Sequence, residues 1–187
     1  DYVISINKTE DNNDNRRLSL ANEIKIKILG KGNQNVMNSE FSSKCTEILI
    51  NGKQGVLEEN NTVSNLESEG ENIIVMRWDY KLNNCFSMFM ELTNIIEIDL
   101  SNFDASELVN MNKMFFSCTN LKNVIIGQNF DSSKVTNMEN MFRNCKSLIS
   151  LDLSNLNTKS VYSMSFMFES CFSLEYLNIT NFDTSSV

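Results

Sequence analysis

MENMFRNCKSLISLDLSNLNT, residues 138–158, decides how the rest of the chain is read, because its apolar positions recur. Met138, Met141, Phe142, Cys145, Leu148, Leu151, Leu153, Leu156 and Val161 form one set. Met164, Met167, Phe168, Cys171, Leu174, Leu177, Ile179, Phe182 and Val187 form the same set one unit later. Upstream, Met111, Met114, Phe115, Cys118, Leu121, Val124, Ile126, Phe130 and Val135 match it. A more degenerate copy comprises Cys85, Met88, Phe89, Leu92, Ile95, Ile98, Leu100, Phe103 and Leu108. The Met-Phe pairs begin at 88, 114, 141 and 167, so the steps are 26, 27 and 26 residues. The extra residue lies between Ile126 and Phe130. Self-similarity at this period is the signature of a solenoid.

Within a unit the spacing changes character. Val135, Met138, Met141, Phe142 and Cys145 fall three and four apart or side by side, as on one stripe of a helix. Leu151, Asp152 and Leu153 alternate like a short strand. Asp131, Ser132 and Ser133 offer side-chain oxygens for a helix N-cap. These signals predict an α/β repeat solenoid, a leucine-rich-repeat-like stack of short strand plus short helix coils. About four coils occupy residues 81–187 with no C-terminal cap, and residues 1–80 form a small β-rich N-terminal cap. A polar end element of that kind shields the apolar end of a stack.

The wording MxxMFxxCxxLxxLDLSNFDTSxV resembles the BspA-like leucine-rich repeats of bacterial and protist surface proteins, over residues 85–187. The resemblance implies an extracellular or cell-surface protein, adhesion and surface display. One departure stands out. The general leucine-rich pattern places Asn where this chain has Phe103, Phe130, Leu156 and Phe182. Its own Asn102, Asn129, Asn155 and Asn181 come one place earlier, which suits an outward Asn row.

The first third carries no repeat. Tyr2, Ile4 and Ile6 alternate, suggesting a strand, and EDNNDNRR at 10–17 reads as a solvated loop. Ile24, Ile26 and Ile28 alternate with lysines up to Gly30, a half-buried strand. Asn51-Gly52 between Cys45–Ile50 and Val56-Leu57 signals a hairpin. Residues 58–72 are acidic and Asn-rich and predict an exposed loop. Ile73–Trp78 predicts the strand that hands over to the first coil. The chain opens on Asp1 without a charged-then-apolar leader, which fits a removed signal peptide or an excerpt.

Composition narrows the chemistry. Sixteen basic against twenty-four acidic residues leave a net charge of −8, which argues against nucleic acid and anionic membrane as partners. No apolar run reaches the length of a membrane span. The chain has no histidine and no proline. Without histidine, Ser-His-Asp and Cys-His catalysis are impossible, and none of the six glycines builds a phosphate loop. The expectation is therefore not an enzyme, with no cofactor and no metal.

Five cysteines divide into two groups. Cys118, Cys145 and Cys171 share a column with Leu92, which favours buried free thiols acting as small hydrophobes. Cys45 and Cys85 lie off that column, where a disulfide between them would staple cap to repeats in an oxidising compartment. Asp104, Asp131 and Asp183 form a column with Asn157. Either a calcium ladder or turn capping suits it, and the Ser or Thr close behind each copy favours capping. Sequons at Asn7, Asn60 and Asn178 are candidate N-glycosylation sites.

The outward strand residues form the candidate binding face: Glu97 and Asp99, Asn123 and Ile125, Ser150 and Asp152, Tyr176 and Asn178. Its mixed chemistry suits a protein or glycan partner. Leu177, Ile179, Phe182 and Val187 form a candidate assembly end. Two functions follow: a non-enzymatic surface interaction or adhesion protein, or a structural subunit that stacks head-to-tail into a filament or other homo-oligomer.

Overall fold

The computed structural model describes residues 22–187. The strand expected at Tyr2–Ile6, the loop at 10–17 and the Asn7 sequon lie outside the described residues. Ten strands follow in chain order: β1 (Asn22–Leu29), β2 (Gly32–Asn35), β3 (Glu47–Ile50), β4 (Lys53–Gln54), β5 (Thr62–Leu66), β6 (Glu71–Trp78), β7 (Ile95–Asp99), β8 (Asn123–Ile125), β9 (Ser150–Asp152) and β10 (Tyr176–Asn178). Six of them form one mixed sheet in the order β4-β3-β6-β1-β7-β8, while β9 pairs with β10 and β2 with β5.

Strand β1 forms where the alternation requires it. Ile24, Ile26 and Ile28 are fully buried, and Lys25 and Lys27 face the other side. Its two neighbours, β6 and β7, are both antiparallel to it. The handover to the repeats therefore runs through β1, not through β6 as the chain order implied. Asn22 helps to seal this junction, since its Oδ1 accepts the N–H of Asp104 and its Nδ2 donates to the Tyr80 carbonyl. The Asn51-Gly52 turn closes the hairpin, but its second strand is Lys53–Gln54 rather than Val56-Leu57. Residues 58–72 are not simply an exposed loop. They hold β5, with Val63 and Leu66 buried, and the fully buried Asn61.

The four copies lie side by side. Strand β7 is parallel to β8, and β9 to β10. Single parallel bridges join Asn84 to Asn110, Asn110 to Asn137 and Asn137 to Ser163. Phe89, Phe115, Phe142 and Phe168 stack ring on ring, with centroids 5.8, 5.1 and 6.0 Å apart. Offset stacking of this kind adds about 0.5–1.5 kcal/mol per pair beyond burial.

The expected α/β solenoid does not form. Among the described residues there is no α-helix, and the copies do not close into strand-plus-helix coils. The stretch read as a helix is a run of turns, and its hydrogen bonds show why. From Cys85 to Leu92, alternate N–H groups serve different partners. Those of Cys85, Ser87, Phe89 and Glu91 donate to Asn110, Asn112, Met114 and Phe116 in the next copy, at 2.8–3.0 Å. Those of Met88, Met90 and Leu92 donate three residues back, to Cys85, Ser87 and Phe89. A helix would turn every donor back four residues onto its own copy. Here half of them bind the copies together.

The alternation needs left-handed residues at regular places. Ser87 and Glu91, Lys113 and Ser117, Asn140 and Asn144, Phe166 and Ser170 all have φ between 55° and 64°. Short three-residue steps such as Met-x-x-Met and Phe-x-x-Cys-x-x-Leu belong to such a run of turns as well as to a helical stripe. The extra residue of the second copy falls at Gly127. A Cβ there would lie 2.6 Å from the Ser101 carbonyl oxygen, so glycine lets the longer loop close onto its neighbour.

Candidate functional site

The outward face is assembled by strand register. Glu97 pairs with Asn123 and Asp99 with Ile125 across β7 and β8. Ser150 pairs with Tyr176 and Asp152 with Asn178 across β9 and β10. The eight residues thus fall in two columns, as their places in the repeat require. Alternation turns each away from the core side chains Ile98, Val124 and Leu151, which are 0%, 5% and 1% exposed.

The two ends of this face differ electrostatically. At the β1 end, Lys25 lies 3.8 Å from Asp99, and Lys27 lies 3.9 Å from Glu97 and 3.5 Å from Glu71. The Asn123 amide donates to Glu97 at 3.4 Å. Farther along, Ile125 and Tyr176 are exposed and carry no charge. Asp152 is committed locally: its Oδ1 accepts the N–H of Ser154 at 2.9 Å and its hydroxyl at 2.6 Å. Those two bonds hold its carboxyl below the ordinary aspartate value. Asn178 is half-buried, and its Oδ1 accepts the N–H of Thr180 within its own sequon. Asn60 is exposed in a left-handed conformation.

The aspartate column caps turns. Asp104, Asp131 and Asp183 accept the N–H of Ser106, Ser133 and Ser185, and Asn157 accepts that of Lys159. Burial pushes the Asp104 carboxyl up, but Ser106 and Lys81 outweigh it and leave it lowered. Among the described residues no three His, Cys, Asp or Glu side chains gather to hold a metal ion. The hydroxyl column beside it ties copies together. Ser132 Oγ accepts from the Asn157 N–H at 2.8 Å and donates to its carbonyl at 3.1 Å. Thr158 does the same with Asp183 at 2.7 and 3.0 Å.

All five cysteines are free thiols, so the Cys45–Cys85 staple is absent. Cys85 is fully buried and Cys45 half-buried. Cys118, Cys145 and Cys171 each donate to the carbonyl of the phenylalanine one copy back, Phe89, Phe115 and Phe142, at 2.9, 3.1 and 3.0 Å. Burial pushes the Cys118 thiol up to about 12 and the Cys45 thiol up to about 11. At the candidate assembly end, Leu177 and Phe182 are half-buried while Ile179 and Val187 are exposed. Asn102, Asn129, Asn155 and Asn181 are all exposed, and Asn155 and Asn181 donate to the Ile126 and Ser154 carbonyls of the preceding copy.

One cluster was not read from the sequence. The Arg143 guanidinium lies 6.0 Å from the Phe116 ring and 5.2 Å from the Phe166 ring, and it pairs with Glu169 at 2.7 Å. Phe166 is exposed and left-handed. Its place in the repeat is taken by Ser87, Lys113 and Asn140 elsewhere, and that departure was the available signal.

A family model described as "Mycoplasma protein of unknown function, DUF285" matches residues 74–187. The chain belongs to this family. The DUF285 match begins in β6 and takes in all four copies, so it covers the whole outward face from Glu97 to Asn178. No curated protein and no solved structure matches the chain. No helix among the described residues is long and apolar enough to cross a membrane.

Proposed function

We propose that this DUF285 protein is a non-enzymatic interaction or adhesion module of BspA-like type, displayed outside the cell, that engages a protein partner on its outward strand face. The observation that carries this reading is the register. It sets Ile125 exposed on the β7–β8 ladder and Tyr176 exposed on the β9–β10 ladder, the latter beside the polar Ser150, Asp152 and Asn178. A mixed surface with a large aromatic anchor and few charges is the composition that protein interfaces favour. The repeat wording supports surface display, and the absence of histidine removes the commonest general base.

Beads coated with the full chain, presented to cultured epithelial cells, test the reading. The unmodified chain is expected to hold cells, and Ile125→Ser with Tyr176→Ser to release most of them. A control pair on other surfaces, Val109→Ser with Phe172→Ser, should attach like the unmodified chain. No attachment by the unmodified chain, or equal loss in both pairs, refutes the assignment.

A further inference from the structure

Away from the strand face, the loop after β2 and the start of the first copy flank a half-open cavity of about 230 Å³. Phe41, Glu40, Ser42 and Ser43 line one wall, and Asn83, Asn84 and Phe86 line the other. We infer that this cavity is a binding site for a neutral saccharide, holding one sugar ring on the face of Phe86. The inference does not depend on the strand-face reading.

The loop wall has no regular secondary structure, yet it is held at almost every step. The Asn38 N–H donates to the Met88 carbonyl at 2.7 Å, and its Nδ2 to Met90 at 3.1 Å. The Phe41 N–H donates to Asn38, and Trp78 Nε1 to the Ser43 carbonyl at 3.1 Å. Asn61, fully buried and left-handed, donates from Nδ2 to the carbonyls of Asn38 and Phe41 at 2.7 and 2.8 Å. Lys44 Nζ binds the Asn61 Oδ1. A buried amide and a left-handed backbone are both costly, and here both serve to fix one irregular loop. The opposite wall is equally set: Asn84 is bridged to Asn110, and its Oδ1 accepts the Phe86 N–H at 2.8 Å. Such preorganisation cuts the ordering cost of binding.

These bonds consume the backbone and leave side-chain groups free. Among the described residues the Glu40 carboxylate, the Ser42 and Ser43 hydroxyls, the Asn83 amide and the Asn84 Nδ2 have no hydrogen-bond partner. Donors and acceptors of these kinds around a half-exposed aromatic ring match a sugar, which presents hydroxyls at its edge and C–H groups on its face. The positive edge of those C–H bonds meets the negative face of the ring. The volume lies below the range of about 300–1,000 Å³ for drug-sized ligands, which suits a single ring. Among the described residues Glu40 is the one charged residue lining the cavity, so a neutral sugar is favoured over an anionic one. The repeat adds an independent sign. The place of Phe86 is held by Asn112, Glu139 and Ser165 in the later copies, so the aromatic occurs only in the copy that faces the loop.

Methyl glucoside, methyl galactoside and methyl mannoside, each titrated into the isotopically labelled full chain, provide the test. Saturation-transfer and amide-shift NMR should show millimolar binding of at least one, with shifts centred on Ser42, Ser43, Asn84 and Phe86. Phe86→Ala, an exposed position, should keep the circular dichroism spectrum and weaken binding about tenfold. Ser42→Ala with Asn83→Ala should weaken it several-fold, and methyl glucuronide should bind less tightly than the neutral probes. Silence with all three neutral sugars, shifts centred elsewhere, unchanged binding by Phe86→Ala, or tighter binding of the glucuronide overturns the assignment.

Discussion

Glu91 gives a test in which the sign of the effect separates a run of turns from a helix. Its φ is +64°, its side chain is exposed, and its N–H donates to the Phe116 carbonyl at 2.8 Å. Alanine and glycine both keep that N–H, so the comparison isolates the backbone. In the left-handed region an L-residue costs about 1–2 kcal/mol, which glycine avoids. Alanine recovers about 0.4–1 kcal/mol by restricting the unfolded chain. Glu91→Gly should therefore be more stable than Glu91→Ala by roughly 0.5–1 kcal/mol. Inside an α-helix glycine would instead be about 1 kcal/mol less stable than alanine. The two structures thus differ by about 1.5–2 kcal/mol in the measured difference. Urea melts followed by the fluorescence of Trp78, the single tryptophan, read it as a change in midpoint at constant slope. If Glu91→Ala proves the more stable, the left-handed positions do not exist and the ladder of turns is wrong.

Leu153→Asp should unfold the repeats, because it removes about 1.5–3 kcal/mol of burial and adds several more for an unpaired buried carboxylate. Leu153 is 0% exposed. Its neighbour Asp152→Leu loses only an exposed turn cap on Ser154 and should melt close to the unmodified chain; equal damage in thermal melts would mean the register is misassigned. The thiols should divide by accessibility. A disulfide reagent at pH 8 is expected to label the half-buried Cys45 and Cys171 in the native protein. Cys85, Cys118 and Cys145 should react only after denaturation, because their burial keeps the reagent out. A common rate for all five, or a Cys45–Cys85 bridge in non-reducing peptide maps, would contradict the packing.

The columns were legible because they depend on side chains alone. Every copy must place Met, Phe, Cys and Leu at the same depth, so the period emerges from the apolar positions, and so does the pairing of Ser150 with Tyr176. The saccharide cavity was not legible. Its walls lie about forty residues apart in sequence, and its construction depends on Asn61, which reads as one more polar residue of a loop. Likewise β5 escaped notice because Val63 and Leu66 are isolated apolar residues among polar ones, and only β2 gives them a partner.

By itself, the sequence determined the repeat, its register, the alternation of β1 and the turn at Asn51-Gly52, since each is local or follows from which residues avoid water. Tertiary structure decided the conformation of each unit and the order of the strands. A three-residue apolar step satisfies a helix and a run of turns equally well. The choice between them rests on where the N–H groups of Cys85, Ser87, Phe89 and Glu91 find acceptors. Those acceptors belong to the next copy, 25 residues along the chain, and backbone hydrogen bonds leave no mark on side-chain periodicity. The same reason places β1 between β6 and β7: unpaired strand edges are satisfied by whichever strand can reach them.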